Sequence, residues 1–114
     1  MAAKAKDTQR SIQELYTEGM QEVNKIIAQG NAAQREIALQ TLDDLTAMML
    51  AHTIETIQGR TALLTGLIAE LSQVIESVQA EPPYSGAVKA LTDVLDGTRK
   101  RLTDEKKKLL PPDA

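Results

Sequence analysis

The chain has no cysteine, tryptophan or phenylalanine, and its only aromatic residues are Tyr16 and Tyr84. Without cysteine there are no disulfides, thiolate metal sites or cysteine nucleophiles, so packing alone must hold the fold. Without large aromatics the core must be Leu, Ile, Val, Met and Ala, which suits a helical bundle better than an aromatic-walled ligand pocket. Single-stranded bases also lose the flat side chains on which they stack, and no specific nucleic-acid recognition is expected. The six glycines, at 19, 30, 59, 66, 86 and 97, are scattered, and none belongs to a phosphate-cradling loop followed by lysine. Gly59 and Gly66 stand seven apart, a spacing that permits close approach of a neighbouring helix or is merely tolerated at the surface.

Long uncharged runs are missing too. The least charged region is broken by Glu55, Arg60, Glu70 and Glu76, short of the roughly 18 to 20 apolar residues that span a bilayer. Residues 1–6 are basic, but Asp7, Gln9 and Arg10 follow where a secretory signal carries its apolar run. A cytoplasmic location is the expectation. The 114 residues suffice for one core and not for two. The expected organisation is a disordered basic N-terminus at 1–6, a single helical domain at 7–110 and a disordered tail at 111–114.

What is present is helical periodicity. Ile12, Leu15, Val23, Ile26 and Ile27 recur at helical spacing after Asp7 or Thr8, either of which suits an N-cap. That helix ends at Gly30, placed for a left-handed C′ position, and Asn31 with Gln34 three residues on forms a capping-box pattern. From Leu50 a stripe runs through Ile54, Ile57, Thr61, Leu64, Ile68, Leu71, Ile75 and Val78 in steps of three or four. A mean period of 3.5 is a coiled-coil seam, and it passes Gly59 in phase. The spacing therefore predicts one helix over residues 32–80, about 49 residues and roughly 73 Å long. Pro82 and Pro83 stop it. A further helix follows, with Val88, Leu91, Leu95, Thr98, Leu102 and Leu109 on one face.

The expected fold is all-α: three helices, short, long and short, forming antiparallel hairpins completed as a bundle by oligomerisation, with a dimer favoured. The alternative is a monomeric four-helix bundle with a break near Gly59. The packing and oligomer seam is expected at Leu50, Ile54, Ile57, Leu64, Ile68, Leu71, Ile75 and Val78.

Chemistry-bearing residues are few. His52, the only histidine, lies one helical turn from Met48 and Glu55, but one imidazole cannot close a metal site, and the His-x-x-Glu order reverses that of di-iron bundles. Asp43 and Asp44 point about 100° apart on a helix and cannot pair as acid and base unless another helix contributes. No catalytic, metal or cofactor residue is assigned. Charge is unevenly spread: residues 7–96 hold five basic and thirteen acidic side chains, whereas 97–110 hold six basic and two acidic. Arg99, Lys100, Arg101, Lys106, Lys107 and Lys108 therefore form a candidate anion-contacting patch, or simply a cationic helix end complementing the helix dipole.

These features predict a non-catalytic helical interaction protein, an adaptor, chaperone, assembly component or regulator, whose partner is another protein contacted through helices. The alternatives are an amphipathic coat on a lipid or granule surface, using the apolar face of residues 61–78, and a ferritin-like metal-binding bundle.

Overall fold

The computed structural model describes residues 2–109, with side chains from Arg10 onward. Within them the chain is helical with no strand: α1 (Ala2–Gln29), α2 (Ala32–Ala51), α3 (Ile57–Gln79) and α4 (Gly86–Leu109). Each helix packs on its neighbours in sequence, α4 returns against α1, and α1 meets α3 across the diagonal. Short connections between antiparallel neighbours make this an up-down four-helix bundle, 47 × 25 × 21 Å. Ile12, Val23 and Ile26 of α1, Ala38 and Leu45 of α2, six apolar residues of α3, and Val88, Leu95 and Leu102 of α4 fill its axis. The core is thus closed within one chain.

The expectation of three helices with one long central member is corrected here. Helix stops after Ala51, and His52, as C-cap, has extended backbone. Hydroxyls drive the break: Thr53 Oγ1 accepts from the Glu55 amide, and Thr56 Oγ1 caps α3 by accepting from the Gly59 amide at 2.9 Å. Arg60, buried beneath the connection, donates from Nη1 to the Ile54 carbonyl at 2.7 Å. Gly59 is not the break itself. It admits the connection, because a Cβ there would lie 2.0 Å from the Thr53 carbonyl oxygen. The four-helix alternative fits, with its break at 52–56.

The opposite end is tied by one buried side chain. Asn31 and Gln34 form the capping box read from the sequence, and Gln34 does more. Its Nε2 donates to the carbonyls of Glu81 at 2.8 Å and Pro83 at 3.1 Å, while Asn31 Nδ2 donates to the Pro82 carbonyl. The α1–α2 and α3–α4 connections are thereby locked together, satisfying carbonyls the prolines cannot pair within a helix. Gly30 does not take the left-handed conformation expected of it. Glycine fits there because a Cβ would stand 2.8 Å from the Ile26 carbonyl oxygen. α1 also runs through Asp7 and Thr8, so neither caps it, and residues 2–6 belong to its first turns. The expected disordered tail at 111–114 lies outside the described residues.

Candidate interaction surface

Charge divides the bundle lengthwise. Among the described residues every ion pair lies on α1, on α4 or between them: Arg10 with Glu14, Lys25 with Glu22, Lys89 with Asp93, Arg99 and Lys100 with Asp96, Arg101 with Glu18, and Lys108 with Glu105. Glu18 is the hub between the two helices, accepting from Thr98 Oγ1 at 2.7 Å and Arg101 Nη2 at 2.6 Å. Partial burial pushes its carboxyl up, but the Thr98 hydroxyl and Arg101 guanidinium outweigh that and hold it below the usual carboxylate range.

The outward side of α2 and α3 is different. Of the large apolar side chains exposed among the described residues, Leu39 (48%), Leu50 (82%) and Ile57 (58%) lie on these two helices, and only Val94 lies elsewhere. Leu39, Asp43, Thr46 and Leu50 are all exposed. Leu39 and Leu50 are eleven residues apart, which returns to within about 20° of the same helix face. Leu50 and Ile57 flank the α2–α3 connection. On α3 the outward residues Ala62, Thr65 and Ala69 are small and uncharged. By length and composition α3 could cross a membrane, yet it supplies the largest share of the bundle core. Scattered exposed apolar residues need no explanation, but Leu39 and Leu50 on one face of α2, beside a surface without ion pairs among the described residues, mark a surface suited to contact.

Between α2 and α3 runs an open groove of about 560 Å³. Leu39, Ile37 and Val74 supply apolar lining, and every ionisable residue along it is acidic: Glu36, Asp43, Asp44 and Glu70. Gln40 Nε2 donates to Asp44 Oδ1 at 3.0 Å. Glu70 and Asp44 both line the groove, one from each helix. Burial first, and then the facing Asp44 carboxyl, push Glu70 up to about 7.

No protein-family model, curated protein or solved structure matches this chain. Its function must be read from this geometry.

The residues singled out in the sequence are distributed unevenly. In the expected seam, Leu64, Leu71 and Val78 are buried in the chain's own core, Ile54, Ile68 and Ile75 are half-buried, and Leu50 and Ile57 are exposed. Of the basic cluster, Arg99, Lys100, Arg101 and Lys108 are engaged by carboxylates, Lys106 is half-buried and Lys107 exposed. His52 sits in the connection and not within a helix, so the helical spacing to Met48 and Glu55 does not hold. Among the described residues no three His, Asp or Glu side chains gather as a metal-holding group.

Two features were missed. The stripe of Leu39, Asp43, Thr46 and Leu50 repeats in steps of three and four and is legible in the sequence, although Asp43 and Thr46 set it apart from a core-facing seam. The Asp44–Glu70 pair joins residues 26 apart and becomes visible only once α2 and α3 are known to fold back on each other.

Proposed function

We propose that this chain is a non-catalytic interaction protein that docks a protein partner on the outward α2/α3 face. One observation carries this reading: the ion pairs that solvate the bundle lie on α1 and α4, while Leu39, Leu50 and Ile57 stand uncovered on α2 and α3. Burying each of those side chains is worth about 1.5 to 3 kcal/mol, enough for a handful to anchor a helix-mediated interface. A protein suits the face better than a lipid surface. Anionic membranes attract lysine and arginine, and the groove presents only carboxylates. Because the core closes within one chain, a second copy is not needed to complete it, which favours a different protein as the occupant.

Site-specific photocrosslinking in the cells that make the protein tests this. A photoreactive residue at position 39 or 50 should yield discrete higher-mass protein adducts, and the same residue at position 93, exposed on α4, should yield none. Adducts from position 93 alone, or equally from all three, would contradict the assignment.

A further inference from the structure

The chemistry of the α2/α3 face also selects the kind of partner, an inference that rests on the docking reading above. Leu39 and Leu50 lie on one face of α2, about 16 Å apart along its axis, the span of three helical turns. A straight partner helix lying along that face of α2, over the edge of the groove that Leu39 lines, would meet both. Between them the exposed Asp43 and the groove-lining Asp44 and Glu70 carry negative charge. Glu36 continues that charge at the other end, and no lysine or arginine lines the groove among the described residues. The contrast with the α1/α4 groove is direct: there Glu18 and Glu105 are answered by Arg101 and Lys108. Among the described residues no ion pair neutralises the carboxylates of α2 and α3, and Asp44 and Glu70 line the groove together.

We propose that the α2/α3 groove seats a basic amphipathic helix of a partner protein, its apolar residues over Leu39 and Leu50 and its lysines or arginines against Asp43, Asp44, Glu36 and Glu70. An apolar stripe at i, i+4, i+7 and i+11 matches the exposed leucines, and cations on the flanks supply what the groove lacks. An arriving cation also favours the charged form of Glu70, which burial first and then the nearby Asp44 carboxyl push up to about 7. Docking therefore releases a proton from Glu70 and tightens as pH rises, and the facing groups on α2 and α3, Glu36, Asp43, Asp44, Gln40, Gln73 and Ser77, include none that would reverse that sign.

The test uses three synthetic peptides of about 18 residues with the same leucine stripe and with lysine, glutamine or glutamate at all other positions. Binding is followed by calorimetry and by amide chemical-shift mapping on the full chain. The lysine peptide should perturb amides of α2 and α3, bind about tenfold more tightly than the glutamine peptide, and lose that advantage in D43N/D44N/E70Q. Should the triple variant lose helicity by circular dichroism, Asp43→Asn alone, at an exposed position, should still weaken the lysine peptide severalfold. Affinity should rise between pH 5.5 and 8 in the parent chain and stay nearly level in Glu70→Gln.

If the glutamine peptide bound α2 and α3 as tightly as the lysine peptide, the basic-partner inference would fall and the docking face would stand. Lysine-peptide shifts confined to α1 and α4, or affinity unchanged in the charge variants, would overturn the inference as well. Failure of every peptide to perturb α2 and α3, with no crosslink from position 39 or 50, would remove the docking face itself. Co-sedimentation with phosphatidylserine vesicles that Leu50→Asp abolishes would give the face to lipid instead.

Discussion

α3 and α4 are nearly equal in length and lie side by side, yet α4 carries eleven charged residues in 24 and α3 three in 23. The difference shows what each contributes. α4 buries one stripe, Val88, Leu95, Thr98 and Leu102, and solvates the rest of its surface with ion pairs to itself and to α1. α3 buries a broader face and, Glu76 apart, leaves uncharged residues exposed, beside the exposed leucines of α2. Side chains on α1 and α4 are satisfied within the chain, by partners that water and salt can replace. The outward surface of α2 and α3 carries no ion pair among the described residues, and there a second molecule gains most.

Substitutions that separate the two halves sharpen this comparison. The largest effect is expected in the core of α3, where Leu71→Ala should cost about 2 to 5 kcal/mol by urea unfolding, unchanged by salt. Gln34→Leu should follow at about 2 to 3 kcal/mol, since it strands the buried carbonyls of Glu81 and Pro83. A loss confined to a few tenths of a kcal/mol would show that the two connections are not tied through Gln34.

Charge variants should give smaller effects of opposite sign on the two halves. Glu70 is raised in the folded chain, so between its ordinary value and about 7 the folded state binds the extra proton. Stability should therefore fall as pH rises through that window, and the fall should vanish in Glu70→Gln, read as melting temperature against pH. Glu18 is held low, so its contribution is present above the ordinary carboxylate range and is lost as pH falls through the folded value. Glu18→Gln should cost about 1 kcal/mol or less near neutrality, less in 1 M salt, and nothing in strong acid. The smallest change in stability, within about 0.5 kcal/mol, is expected for L39D/L50D, two exposed positions whose loss should abolish photocrosslinking from position 43 or 46 on the same face. A melting temperature lowered as far as in Leu71→Ala would place these residues in the fold and not on a docking surface.

Much of this architecture was legible in the sequence. The all-α class, the capping box at Asn31 and Gln34, the stop at Pro82 and Pro83 and the buried stripes of α1 and α4 follow from local patterns that tertiary packing does not override. The break at 52–56 did not follow. Leu50, Ile54 and Ile57 continue the spacing of Leu64 and Leu71 although two of the three face solvent, so periodicity carried straight through a connection made by Thr53 and Thr56 hydroxyls. The core face of α3 is accordingly shifted to Leu63, Leu64, Leu67, Leu71, Val74 and Val78. The interaction surface was half legible: Leu50 and Ile57 were singled out, as members of a seam, while the groove, the Asp44–Glu70 pair and the unneutralised carboxylates exist only after α2 and α3 fold together.

Everything proposed for this face depends on α2 and α3 forming a hairpin, and a single distance tests that. Spin labels at positions 39 and 73, both on the groove, should be separated by roughly 25 Å or less by pulsed electron resonance, as expected for labels on adjacent helices with axes about 8 to 10 Å apart. A distance near 51 Å, the rise of 34 residues in one unbroken helix, would contradict the hairpin, and with it the groove and the docking surface.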